Sequence, residues 1–392
     1  MSEHTTELSP PRAWIVPMQP RSPTEVHRAA TTLELFFDLV FVVAVAQAAA
    51  ALHHSLAEGH FGPAVLSYIM VFFAIWWAWM NFTWFASAYD CDDVPYRLAV
   101  FVILTGALIL AAGVPQAFEG DFAIVTGGYV VMRLALVTQW LRAARSDPPR
   151  RVCAHRYAIG ISACQIGWVI LLFVPGQWSL MGFALLVAAE LLVPIWAERA
   201  GATTWHPHHI MERYGLFTII VLGESILSTS LGIQSAIETG NFSSDLIGII
   251  VGGLLIIFSM WWLYFDWPMD VLLTSLRRGF IWGYSHLFVF ASAAAVGAGL
   301  AVEIDQALHH AEIGAVAAGA TVAIPVAIFV ATLWLLHIVF RIGYRLQMIL
   351  IPVVLILVLL TPLSGSRTAL LTGILLVALL VIKLVHRHRE SA

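Results

Sequence analysis

Two carboxylates, Glu34 and Asp38, stand four residues apart inside an otherwise apolar stretch, Leu33-Glu34-Leu35-Phe36-Phe37-Asp38-Leu39. On a helix that spacing leaves them about 40° apart, on one face. Two acids so placed repel when both are ionised, an arrangement suited to holding a proton or a small cation. A second apolar stretch carries His209, Glu212, Arg213 and Glu224. Of these, His209, Arg213 and Glu224 fall within about 60° of one another and form a stripe along one helix face. Arg133, Glu190 and His286 are further polar groups within long apolar runs. A charge at the centre of a bilayer costs at least about 2.5–3.5 kcal/mol, so each needs a reason to be there. One reading makes all nine residues the lining of an ion or substrate path. The other makes Arg133 a buried tie to Glu190 or Glu224.

A second constellation is acidic. Asp90, Asp92 and Asp93 follow one Trp-rich stretch, and Asp266 and Asp270 follow another, with Arg97, Arg277 and Arg278 close by in sequence. Carboxylates in such numbers suit a hard cation such as Mg²⁺, with Asp90, Asp92 and Asp93 as its ligands. With the arginines they would hold a diphosphate, and all five aspartates would then be catalytic in prenyl transfer or terpene cyclisation. The competing reading is a solvated loop whose acids pair with neighbouring arginines. No phosphate-binding loop, dinucleotide fingerprint, nucleophile elbow or zinc-protease helix occurs.

The elements that must position these residues are legible from composition. The 392 residues are 60% hydrophobic and only 11% charged, against roughly 25% charged in a soluble domain. Apolar runs long enough for about 20-residue spans recur along the chain, and they lack the alternation of a barrel. The expected fold is an all-α polytopic membrane bundle of about twelve spans. These lie at 32–54, 63–85, 95–114, 121–143, 154–174, 178–198, 209–234, 245–266, 278–302, 313–339, 345–362 and 368–386. With both ends in the cytoplasm, every Lys and Arg except Arg133 and Arg367 falls inside, while outer loops carry Glu58, Glu119, Asp121, Glu238, Asp245, Glu303, Asp305 and Glu312. Residues 1–30, rich in Pro and Arg, are expected to be a disordered cytoplasmic tail.

The chain also echoes itself. Ile75-Trp76-Trp77-Ala78-Trp79-Met80-Asn81 precedes the first acidic run, and Met260-Trp261-Trp262-Leu263-Tyr264-Phe265-Asp266 leads into the second. Six spans separate the copies, so two parallel six-helix repeats are expected, at 31–200 and 201–388, with the functional site at their interface. A net charge of −4 excludes a general nucleic-acid partner. The three cysteines, Cys91, Cys153 and Cys164, do not have zinc-site spacing.

The run Leu33–Val42, together with Asp92-Asp93-Val94-Pro95-Tyr96-Arg97, Glu212-Arg213-Tyr214-Gly215-Leu216-Phe217 and Leu222-Gly223-Glu224-Ser225, resembles the bacterial low temperature requirement A family. The resemblance implies a multi-pass membrane protein of the bacterial cytoplasmic membrane and no settled biochemical activity. Three functions stay open. The first is permeation of a proton, cation or small solute through the bilayer, needing no cofactor. The second is a Mg²⁺-dependent membrane enzyme acting on an isoprenyl diphosphate, and the third is a non-catalytic sensor or assembly factor.

Overall fold

The computed structural model describes residues 14–25, 28–240, 243–266, 273–340 and 345–391. Among them the chain is helical throughout: α1 (Thr32–Ala57), α2 (Phe61–Tyr89), α3 (Val94–Ala112), α4 (Val114–Phe118), α5 (Ala123–Ser146), α6 (Arg151–Leu171), α7 (Gly176–Glu198), α8 (Pro207–Thr239), α9 (Ser244–Phe265), α10 (Leu276–Ala307), α11 (Ala315–Phe340), α12 (Arg345–Leu360) and α13 (Thr368–Ser391). Nine stretches of the described residues are long and apolar enough to cross a membrane; the last, Leu346–Arg389, is interrupted by a 3-10 segment, Thr361–Arg367. Helix surfaces are apolar where they are open. Ile159, Ile166, Leu185 and Ile349 are 61, 63, 64 and 72% exposed, an arrangement that lipid favours and water does not.

Side chains of the expected type open the helices. Thr31 caps α1, Ser243 caps α9 and Ser275 caps α10, each accepting a first-turn amide. Pro207 occupies the first position of α8, where its missing N–H is not needed.

The chain forms two compact units. The first comprises Met1–Val26, Trp84–Gly106 and Val130–His206, and so takes the end of α2, most of α3 and α5, and all of α6 and α7. The second comprises His27–Thr83, Ala107–Tyr129 and Pro207–Ala392. Compactness therefore does not divide the chain near residue 200, because α1 packs on α8 and α10.

In the first unit Trp140 stacks on Tyr157 with ring centroids 4.0 Å apart. The segment Trp14–Glu25, expected to be disordered, is fastened here. Met18 is fully buried, the Val16 amide donates to Asp93 at 2.9 Å, the Val94 amide donates to the Trp14 carbonyl, and the Arg21 amide donates to the Ala88 carbonyl. Sequence alone reads this stretch as a tail because its anchors are backbone groups, which composition does not reveal.

In the second unit small residues let helix backbones approach. A Cβ at Gly252 of α9 would overlap the backbone of Ala369 and Leu370 in α13, and one at Gly299 of α10 would overlap the Thr321 carbonyl of α11. Trp76, Trp77 and Trp79 are buried, with Trp76 and Trp77 meeting Tyr284 edge-on. The corresponding pair in α9 differs, since Trp261 and Trp262 are 47 and 44% exposed. The Trp-Trp echo therefore joins residues in unlike surroundings.

Candidate functional site

The second unit brings four of the expected residues into one buried cluster. Glu34 and Asp38 are the third and seventh residues of α1; His209 and Arg213 are the third and seventh of α8. The two four-residue ladders face each other. Arg213 donates through Nη2 to Asp38 Oδ1 at 2.6 Å and through Nε to Asp38 Oδ2 at 3.1 Å. Its Nη1 lies 3.1 Å from Glu34 Oε1, so one guanidinium clamps both carboxylates. His209 Nε2 approaches the same Glu34 oxygen at 3.0 Å, and Arg28 Nη2 lies 3.7 Å from it. Trp79 Nε1 donates to Asp38 Oδ1 at 2.7 Å. None of Glu34, Asp38, Arg28, His209 and Arg213 exceeds 3% exposure. With His209 neutral, the charges of two acids and two guanidiniums cancel.

Glu34 has a further duty. Its Oε2 accepts the Thr31 amide at 2.8 Å while the Thr31 hydroxyl accepts the Glu34 amide at 3.2 Å, a complete capping box that fixes where α1 begins. One carboxylate oxygen therefore holds the helix start and the other holds the cluster.

An aromatic layer closes the cluster one turn further along. Trp79 stacks on Phe217 at 4.4 Å, meets Tyr214 edge-on at 4.9 Å and meets Phe290 edge-on at 5.5 Å. His286 lies in this layer, away from the acids. Its Nδ1 is 2.7 Å from the Trp282 carbonyl, which can only accept, so Nδ1 carries a hydrogen. Nε2 then accepts from the Tyr264 hydroxyl at 3.0 Å, which satisfies a neutral ring. Beyond the layer, Gly297 leaves no space against Ser225, whose hydroxyl donates to the Ala293 carbonyl.

Two expected path residues lie apart. Glu212 is half-buried and accepts the Ala30 amide at 3.0 Å. Glu224 is half-buried and eleven residues beyond Arg213, roughly 16 Å along the helix axis. Helical phase alone aligns Glu224 with Arg213, but it says nothing of the depth separating them. Two members of the cluster are not flagged by the sequence: Arg28 falls in the expected tail, and Trp79 stands only as one Trp of a Trp-rich stretch.

In the first unit Arg133 of α5 donates through Nη2 to Glu190 Oε2 of α7 at 2.9 Å, and Gln165 and Trp168 of α6 donate to the other oxygen at 3.1 and 3.2 Å. This fully buried knot joins three helices, matching the tie expected as the alternative to a path.

The aspartates are engaged separately. Asp92 takes a two-pronged bond from Arg97 at 2.8 and 2.9 Å, and Asp90 lies 3.7 Å from Arg21. Asp93 accepts from Arg142, from the Val16 amide and from the Tyr96 amide, so it caps α3 and anchors the N-terminal segment together. Asp266, in the other unit, is bound by Lys383 and Arg387, and Asp270 lies outside the described residues. No group of three or more His, Cys, Asp or Glu side chains among the described residues is arranged to hold a metal ion. The expected Mg²⁺ ligands Asp90, Asp92 and Asp93 thus do not converge, because each meets an arginine instead. Burial pushes the neighbouring Cys91 thiol up to about 11, the direction that lowers its thiolate fraction.

Burial alone would raise the Asp93 carboxyl, but Arg142 and the two amides outweigh it and hold it below the ordinary carboxylate range. A depressed acid stabilises above its unfolded value, roughly 3.9, and that contribution disappears as pH falls through the folded value. Asp93→Asn is therefore expected to free Trp14–Glu25 at neutral pH, with proteolytic cleavage there rising about tenfold, the factor carried by 1.4 kcal/mol. In the unsubstituted chain the same cleavage should rise only below about pH 4. Equal cleavage of both chains at neutral pH would contradict the anchor.

The family model described as "Bacterial low temperature requirement A protein (LtrA)" matches residues 29–385. An uncharacterized protein of Rhizobium meliloti (strain 1021) is 27% identical over 271 residues, covering 65% of this chain and 64% of that protein. The chain thus matches less than two thirds of that relative's length. No solved structure matches. The match spans both units and includes every member of the buried cluster except Arg28, so the chain belongs to the bacterial low temperature requirement A family.

Proposed function

We propose that this protein is a permeation protein of the bacterial cytoplasmic membrane, moving a proton, a small cation or a solute coupled to one. In this reading twelve helices span the bilayer as two parallel six-helix repeats, with both chain ends in the cytoplasm. The equal rank of Glu34 with His209, and of Asp38 with Arg213, in the first helix of each repeat supports the pairing of halves.

The observation that carries the proposal is the clamp of one guanidinium on two buried carboxylates. Arg213 acts there as a tethered cation. It cannot leave Asp38 and Glu34 unless another positive charge replaces it, because breaking a buried pair from one side costs about 3–5 kcal/mol. A proton or cation reaching the acids offsets that cost and frees Arg213 to move with α8. Exchange of one cation for another is how such a site couples ion arrival to helix movement. The aromatic layer of Trp79, Phe217 and Phe290 closes the far side in the conformation described.

Asp38→Asn keeps the shape and removes the charge. In proteoliposomes under an imposed proton or alkali-cation gradient it should cut flux roughly tenfold or more, a factor equivalent to about 1.4 kcal/mol in barrier height. Undiminished flux in a folded Asp38→Asn protein would sink the assignment.

A further inference from the structure

Glu303 was expected in an outer loop. It lies instead on α10, one turn beyond Gly299, with 2% of its surface exposed. Among the described residues neither carboxyl oxygen has a hydrogen-bond partner. The Ala369 amide in the first turn of α13 approaches it but stops short of full hydrogen-bond geometry. The helices around it are drawn tight: Gly252 abuts Ala369, Gly299 abuts the Thr321 carbonyl, and Gly319 abuts the Thr368 hydroxyl.

Among the described residues, the charged groups of the surrounding elements are exposed or committed elsewhere. On α1, His53 is committed to Asp305 at 2.7 Å. On α9, Asp245 is exposed, and so is Arg367 just before α13. Lys383 of α13 holds Asp266, about four turns along the helix. The stretch of α11 from Ala315 to Leu336 has no titratable side chain, and Glu224 of α8 is itself acidic. An ionised carboxylate without a cation or a bonded donor is far costlier in such a place than the neutral acid.

We infer that Glu303 is a proton-binding site, loaded in this conformation and emptied when α13 shifts its first turn toward the carboxylate. The N-terminus of α13 supplies what the anion lacks: unpaired amides and the positive end of a helix dipole. A small movement that completes the bond to Ala369 converts a neutral acid into a stabilised carboxylate. Proton release and helix position are thereby linked. If permeation is proton-coupled as proposed above, this is its acid on the side opposite the Arg213 clamp, and the inference rests on that reading only for its place in a transport cycle.

The test is infrared difference spectroscopy of the full chain in liposomes, stepped from mildly acidic to alkaline pH. A carbonyl band of a protonated carboxylic acid should be present at neutral pH, be lost in Glu303→Gln and persist in Asp38→Asn. Should Glu303→Gln not fold, Glu303→Asp should shift the band instead. A band untouched by both Glu303 variants overturns the site, whatever the flux. A band that follows Glu303 in liposomes showing no flux at all supports the site and overturns only the permeation reading.

Discussion

Arg213→Ala is expected to destabilise the protein by about 3–5 kcal/mol, read as a lowered unfolding midpoint in detergent. The reason is asymmetric. Arg213 gives Asp38 two of its bonds and gives Glu34 one of its cationic neighbours. Among the described residues its removal leaves Asp38, fully buried, only the Trp79 indole as a donor. Arg213→Lys should recover part of the loss, since an ammonium is a point charge that cannot fork across both carboxylates. The double variant Asp38→Asn, Arg213→Gln should be milder than Arg213→Ala alone, because it removes the orphaned charge along with its partner. If the single and double variants unfold together, the clamp is not the energetic unit described.

The second large effect is steric. Gly252→Ala places a methyl group into the backbone of Ala369 and Leu370, and neither can rotate aside. Overpacking costs about 1–3 kcal/mol where side chains can give way, and backbone yields less readily. Gly248, one turn earlier on α9, has only Leu370 Cδ2 at 3.9 Å, an ordinary contact. Gly248→Ala should therefore be nearly silent, and the pair separates packing from helix propensity. Equal midpoints for the two variants would show that α9 and α13 do not meet as closely as described.

Helix existence was legible because a 60% hydrophobic chain in long uninterrupted runs has few other solutions. Each expected apolar stretch overlaps a helix, with ends displaced where caps such as Thr31 and Ser243 decide the start, and nine stretches of the described residues are long and apolar enough to cross a membrane. The Glu34–Asp38 face was legible as well, since an i,i+4 pair needs only helical phase. Its partners were not. Helical phase grouped Glu224 with Arg213, but a contact depends on depth as well as phase, and the partner of Arg213 is on another helix. Arg28 was lost to the tail because nothing in Pro- and Arg-rich composition marks one arginine as buried. Glu303 was lost for the opposite reason: charge near a span end reads as loop, although α10 continues to Ala307 and carries it into the core.

The split duty of Glu34 has a mechanical meaning. Because its two oxygens serve the α1 cap and the Arg213 clamp, whatever neutralises the carboxylate slackens both at once. If the proposed cation exchange neutralises Glu34, the first turn of α1 should fray with it and tighten again when the carboxylate recharges. Amide hydrogens in that turn would report, from the backbone, on the charge held several ångströms deeper. Under that proposal the start of a helix would serve as a gauge of the charge state of the cluster beneath it.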